Sequence, residues 1–373
     1  MNQRSAIVVG AGIVGLAVTR ALVARKYNVT VIERNERANG ASIRNFGMIW
    51  PIGQPGGELY ERAMLSKRIW KEICDEAGIW YEEKGSLHLA YEKDEMNVLE
   101  DLNEIYKDRG YRILNKDEIA KISPAAVTTG LLGGLFSEQE MVVDPKQAID
   151  QLALWFAKKY NVKFIRGKAV TAIDYPSVFA GNETFKADEI YVCSGADFET
   201  LYPGEFSSLA ITKCKLQMIR LAGQPQDWRI GPSLCGALSL LHYTSFKAAA
   251  SLPALNERLK AEYPDYIKWG IHVMVSQNQR GELTIGDSHE YGITHDPFDR
   301  NFVNDLILDY LQKFARFKNN LILETWNGVY PKMTNGETYV TVRPQEGVTV
   351  INGLGGAGMT LSFGLCEELL RGR

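Results

Sequence analysis

Cysteine is sparse in this chain and shows no pattern. The five that occur (Cys74, Cys193, Cys214, Cys235 and Cys366) are odd in number and lack CxxC spacing. They read as reduced, mostly buried thiols in a cytoplasmic protein rather than as a disulfide framework. Histidine is equally sparse: the five residues form no HxxxH or comparable pair, so no metal site is implied. No block of lysine or arginine stands out, and the formal net charge is −3, which argues against a nucleic-acid partner or a membrane surface. The longest apolar stretches are too short or too rich in glycine to span a bilayer. There is no repeat, low-complexity tract or long linker. The remaining composition, 45% hydrophobic and 23% charged, is that of an ordinary folded protein. At 373 residues the chain exceeds what one core usually serves, so two domains are expected.

Glycine, by contrast, is plentiful, and its placement carries the reading. Ile7 to Gly15 is IVVGAGIVG, and Glu33 closes a second apolar run. A strand over Ala6–Val9, a helix over Ile13–Ala24 and a strand over Asn28–Ile32 place three glycines at the turn and an acid at the second strand's end. Gly10 permits the tight turn, Gly12 lets the backbone approach a pyrophosphate, and Gly15 lets helix and strand pack closely. The helix N-terminus, with Ile13 and Val14, points bare N–H groups at phosphates. Glu33 can accept both hydroxyls of an adenosine ribose. Because this nucleotide fold uses the N-terminal apolar run, no signal peptide is expected.

Other elements follow from local pattern. Residues 39–57 are too rich in glycine and proline for a regular element and carry one cation, Arg44. Glu58–Ala77 is an amphipathic helix and Gly85–Tyr91 an alternating strand. Asp94–Asp108 is helical, and Asn115 with Glu118 forms a capping box before Pro124. Asp144-Pro145 starts a helix that runs to about Tyr160. Strands are expected at Val162–Ile165 and at Ala187–Cys193, the latter stopping at the small turn Ser194-Gly195-Ala196. Lys213–Ala222 opens a strand-rich stretch, with a hairpin of His272–Gln277 and Gly281–Gly286. Phe302–Lys318 is helical. Val348–Asn352 is a buried strand running into a second glycine-rich junction at Gly353, Gly355, Gly356 and Gly358.

The loop GASIRNFGMI, the Asp144-Pro145 start, VCSGA, GELTIGDSHEYG and the terminal INGLGGAGMTLSFG, in this order, resemble the D-amino-acid oxidase (DAO) family of FAD-dependent oxidoreductases, which includes glycine and sarcosine oxidases. The resemblance covers nearly the whole chain. GDSHE and the tail look closest to a subgroup found beside phosphonate-degradation genes. The resemblance implies an α/β, two-domain fold: a glutathione-reductase-type, Rossmann-like FAD domain (1–85, 140–207 and 325–373) with an inserted antiparallel-sheet substrate domain (86–139 and 208–324). It also implies oxidation of a small primary or secondary amine by hydride transfer from the α-carbon to flavin N5, giving an imine that hydrolyses.

By the same resemblance, Ser42, Arg44 and Asn45 form the flavin-proximal loop, and the backbone of Val170 contacts adenine. Ser194 and Gly195 lie against the cofactor, and Gly355, Gly356, Ala357, Gly358, Met359 and Thr360 lie at the flavin's pyrimidine edge. A helix start there stabilises the charge that develops near N1 on reduction. Arg34 either reaches the adenosine phosphates or is simply solvated. His289, in GDSHE, matches a residue facing the substrate. It can accept the amine proton or bind an anionic head group. His88 and Gln217 are further pocket candidates, and Cys193 and Cys366 are packing residues.

One departure is informative. Where many relatives place an arginine that pairs with the substrate carboxylate, this chain has Tyr330, with Lys332 two residues on. The substrate therefore lacks an α-carboxylate, as an aminoalkylphosphonate does, or another cation holds it, Arg44 and Lys332 being the candidates. The flavin-linking cysteine of monomeric sarcosine oxidases is missing from this segment, so FAD is expected to be non-covalent. The electron acceptor, oxygen or another, stays open. A non-catalytic flavin- or nucleotide-binding protein and a tRNA-modifying flavoprotein are the alternatives, the latter disfavoured by the lack of a basic patch.

Overall fold

The protein is described by a computed structural model covering residues 3–371. Parallel pairing of apolar strands builds a six-stranded sheet in the order Val340–Val342, Val348–Asn352, Glu189–Val192, Ser5–Val9, Asn28–Ile32 and Lys163–Ile165. Only the first pair is antiparallel. The central strands are buried on both faces and read as continuous apolar runs, as parallel sheets require. The strands come from the start, middle and end of the chain.

Helices cover this sheet with their apolar stripes. Ile13–Ala24 packs against Gly358–Leu369, which in turn packs on Glu58–Ala77. The last contact is close because Gly364 has no side chain: a Cβ there would come within 2.4 Å of the Arg62 carbonyl. Trp70 Nε1 donates to the Met359 carbonyl at 2.9 Å and fixes the register of the two helices. The expected helix Glu58–Ala77 is found with those bounds, and Asp144 caps Pro145–Tyr160 by accepting from Lys146 N.

The second large sheet has nine strands and is mostly antiparallel. Its spine is Ile211–Leu221, which pairs with Leu283–Gly286 and Glu290–Gly292 on one side and with Ile322–Met333 on the other. The expected hairpin forms as Met274–Gln277 with Leu283–Gly286. Two expectations need correction. The stretch 39–57 is not without regular structure: it forms 3-10 turns at Ala41–Ile43 and Pro51–Gly53 and a short strand, Met48–Ile49, paired with Met141–Val143. The expected boundary at 325 cuts the strand Ile322–Met333, all of which belongs to the nine-stranded sheet. No helix among the described residues is long and apolar enough to cross a membrane.

Candidate active site

A cavity of about 700 Å3 runs from the first glycine turn to the inner face of the nine-stranded sheet. At one end the chain reverses sharply at Gly10, whose φ of +101° favours glycine and where a Cβ would meet the Cys193 carbonyl at 2.5 Å. Gly12 is the N-cap of Ile13–Ala24 and brings no side chain of its own. Ser42 reaches across instead, its Oγ accepting the Ile13 N–H at 2.9 Å. Glu33 is buried; its Oε2 accepts the Ala11 N–H at 2.8 Å and its Oε1 the Asn35 N–H at 3.0 Å. A carboxylate has about four lone-pair sites, so acceptor capacity remains for a ligand.

The small turn Ser194-Gly195-Ala196 and the second glycine-rich junction meet along the cavity. Asn352 Nδ2 donates to the Gly195 carbonyl at 3.0 Å while its Oδ1 accepts the Gly353 N–H at 2.7 Å. Asn352 was missed in the sequence, where it is only the last residue of a strand. Gly195, Gly355 and Gly356 leave open space: no atom lies within 4 Å of a Cβ built on Gly195, and the nearest to one on Gly356 is the Tyr330 hydroxyl at 3.6 Å. The helix Gly358–Leu369 begins here with no side-chain cap and no acid in its first turn. Thr360 is partly used, its hydroxyl accepting the Trp50 N–H at 2.9 Å.

The far end is more polar than expected. The hairpin sets His272 opposite Asp287, and the two exchange backbone hydrogen bonds of 3.1 and 2.8 Å. Their side chains meet as well, with His272 Nε2 2.9 Å from Asp287 Oδ1. His289 Nδ1 lies 2.9 Å from the Gly270 carbonyl, which can only accept, so that nitrogen carries the proton. The other ring nitrogen of His289 faces Asp287 Oδ2 at 3.9 Å. His242 stacks on His272 and His289 at centroid distances of 3.9 and 4.6 Å. The sequence shows no histidine pair, yet these three gather with ligand atoms within 4.8 Å of one another. Near-parallel rings do not aim their in-plane lone pairs at one point, and Lys332 and Lys247 also line the cavity. The cluster therefore suits protons better than a divalent cation. Burial pushes the His242 and His289 imidazoles below their usual value; for His289 the nearby Asp287 opposes this and Lys332 adds to it. Burial raises the Asp287 carboxyl, but His272 and His289 more than offset that, and its shift is downward.

Two half-buried cations line this cavity without an acid partner among the described residues, and Lys247, also unpaired there, is exposed. Arg44 donates to the Asn327 carbonyl and to Asn39 Oδ1, both at 3.1 Å, and Lys332 Nζ lies 3.0 Å from the Tyr291 hydroxyl. Arg34 also lines the cavity but is neither free nor merely solvated: it pairs with Asp197. Tyr330, His289, Val170, Ser42, Asn45, Ser194, Ile13, Val14 and the segment Gly355–Thr360 all line it. Asn45 spends its side chain on the loop itself, with bonds to the Ala41 and Ser42 carbonyls and from the Gly47 N–H. Gly15 is not part of the lining; a Cβ on it would lie 1.9 Å from the Gly10 carbonyl, so its task is packing. His88 and Gln217 also lie outside. His88 is buried between Trp50 and Phe246, and Gln217 bonds Asn304 and the Arg300 carbonyl.

This donor set fits FAD. A helix start whose N-cap glycine brings no side chain, with Ser42 beside it, and an acid suit the phosphates and ribose of the ADP half. A second helix start with room over its glycines suits a flat ring that gains negative charge on reduction. The family described as FAD dependent oxidoreductase (DAO) matches residues 5–371. Among curated proteins, the tRNA 5-methylaminomethyl-2-thiouridine biosynthesis bifunctional protein MnmC of Chromobacterium violaceum is 29% identical over 250 residues. That alignment covers 63% of this chain and 36% of that protein, so the chain spans about a third of its relative's length. Among solved structures, L-proline dehydrogenase from P. horikoshii superposes with a TM-score of 0.78 at 20% identity, covering 99% of this chain and 92% of that one. Glycine oxidase from Bacillus cereus superposes with a TM-score of 0.77 at 15% identity, covering 99% and 94%. At such identities the likeness is one of fold. With a family match over nearly its whole length and a cavity that suits the cofactor, the chain belongs to the DAO family of FAD-dependent oxidoreductases.

Proposed function

We propose that the protein oxidises a small primary or secondary amine carrying an anionic group, an amino acid or an aminoalkylphosphonate, to an imine that water then hydrolyses. The observation that carries this reading is the pair of half-buried cations, Arg44 and Lys332, that line the cavity without an acid partner among the described residues. A buried or half-buried cation without a counter-ion is costly, and an anionic substrate removes that cost. In this reading Gly10, Gly12, Ile13, Val14 and Glu33 anchor the ADP half of non-covalent FAD, and Gly355–Thr360 meet its ring. Bound FAD supplies the acceptor for the hydride equivalent. The six-stranded sheet carries the cofactor, and the nine-stranded sheet, with Tyr330, His289 and Lys332, closes over the substrate. Oxygen or another acceptor completes the cycle. The reduced-thiol pattern, with all five cysteines free and buried, supports a cytoplasmic location.

The resemblance to a bifunctional tRNA-modification protein favours a second reading, an amine carried on tRNA. The net charge of −3 weighs against it. Anaerobic bleaching of the flavin separates the readings. The panel is glycine, sarcosine, D-amino acids, 2-aminoethylphosphonate and its N-methyl form, with glycerol 3-phosphate as a control and undermodified tRNA as the rival substrate. Bleaching by a small amine supports the proposal. Bleaching by tRNA alone, or by glycerol 3-phosphate alone, overturns it. Activity on glycine or sarcosine with none on the phosphonates removes the aminoalkylphosphonate class.

A further inference from the structure

His242, His272, Asp287 and His289 form one array of polar groups at the reaction end, and not all of its atoms have a partner. His272 Nδ1 is buried without a hydrogen bond, and His272 Nε2 and Asp287 Oδ1 have only each other, 2.9 Å apart. Orphaned buried polar atoms are rare in folded proteins and call for a task. The ring of His289 is locked by the Gly270 carbonyl, which leaves its other nitrogen with the lone pair, facing Asp287. His242 and His272 stack beside it at 4.6 and 5.1 Å.

We propose that this array is the proton acceptor of the reaction, with His289 Nε2 the receiving atom and Asp287 the counter-charge, while the imidazoles of His272 and His242 stack against the receiving ring. The proposal rests on the amine-oxidation reading above. A small amine arrives as an ammonium ion, and hydride loss from carbon needs the nitrogen lone pair. In the proposed step one N–H bond of the ammonium breaks, its electron pair stays on nitrogen, and the proton bonds to His289 Nε2. The imidazolium so formed is balanced by the Asp287 carboxylate. The charge on His289 disfavours a second proton on His242, whose ring stacks on it at 4.6 Å. The charged and titratable groups around it are Asp287 from the hairpin, Lys332 and Tyr330 from Ile322–Met333, Tyr291 from Glu290–Gly292, and Tyr243 and Lys247 after the turn Ala237–Leu241. The neutral, receptive form is favoured at neutral pH by burial and by Lys332, and opposed by Asp287.

The rate constant for anaerobic flavin reduction at saturating amine, measured against pH in the holoenzyme, tests this. Wild type should rise with pH along an acid limb and then level off. H289N should lower the plateau about 100-fold and abolish the limb. D287N should move the limb to lower pH by about one unit, because the imidazolium loses its counter-charge. K332M should move it to higher pH by a similar amount. Lys332 is a half-buried cavity residue rather than a core one, so this variant keeps the test available if D287N fails to fold. Opposite shifts are a signature that a merely structural role does not produce. If the limb survives in H289N at the wild-type pH, or if D287N and K332M shift it in the same direction, the proposal falls while the amine reading stands. If no amine reduces the wild-type flavin at any pH, the amine reading falls and takes the proposal with it.

Discussion

The two ends of the cavity are built in different ways. The nucleotide end comes from one continuous stretch, Gly10 to Glu33, in which strand, turn, helix, strand and acid follow one another. The reaction end is assembled from separate segments: Arg44 from a loop, His242 from the end of a 3-10 turn, His272 and Asp287 from just beyond the paired strands of a hairpin, and Lys332 from an edge strand. The first rests on backbone geometry, where a glycine or a bare N–H is the functional group. The second rests on side chains brought together by sheet register, so its chemistry exists only once the nine-stranded sheet has formed.

The largest expected effect is at the nucleotide end. Gly15→Val places side-chain atoms where even a Cβ would lie 1.9 Å from the Gly10 carbonyl. Backbone has to move, at a cost of about 3 kcal/mol or more. The purified variant should carry no flavin absorbance and melt well below wild type; a yellow, wild-type-stable variant would break the account of the turn. At the reaction end, Arg44→Met should leave FAD bound but weaken the amine about 30-fold, the loss of a charge-assisted contact worth about 2 kcal/mol. A titration of flavin reduction against amine concentration reads this. Loss of flavin instead would show that Arg44 serves the cofactor. Glu33→Gln should weaken FAD about tenfold, since Gln keeps an acceptor for Ala11 but not the charge; fluorescence titration of the apoprotein checks it. The smallest effect is remote from both ends. Asn115 accepts from Asp117 N and Glu118 N at 3.0 Å, and Asn115→Ala should cost about 1 kcal/mol of stability with FAD affinity and reduction rate unchanged. Acid precipitation should leave the flavin in the supernatant for wild type and for every variant that binds FAD, because attachment is non-covalent.

That contrast also explains what was legible in the sequence. The helices Glu58–Ala77 and Pro145–Tyr160 and the capping box at Asn115 are local: period, cap residue and proline suffice to place them. The hairpin was legible too, but its register, with Met274 opposite Gly286, extends to set Val273 rather than His272 opposite Asp287, so the contact of His272 with Asp287 depends on where regular pairing ends. His242 could not be found from pairing either, because it follows a short turn whose place is fixed only by the strands around it. His88 was misjudged for a related reason. Alternation assigns such a strand one wet face, but Ser86–Ala90 lies inside the sheet and is buried throughout. Its imidazole touches Trp50 and Phe246 rings, has no hydrogen-bond partner, and is held down at about 3 by burial. Arg34 was ambiguous because its partner, Asp197, lies on a different crossover of the fold.

The central claim is that one end of the cavity anchors the cofactor while the other performs the chemistry. The most direct measurement is the anaerobic rate constant for flavin reduction in FAD-saturated E33Q and H289N, beside the FAD dissociation constant of each. The account predicts a wild-type rate with weakened FAD in E33Q, and tight FAD with a rate about 100-fold lower in H289N. A rate loss in saturated E33Q equal to that of H289N, or a wild-type rate in H289N, would contradict it.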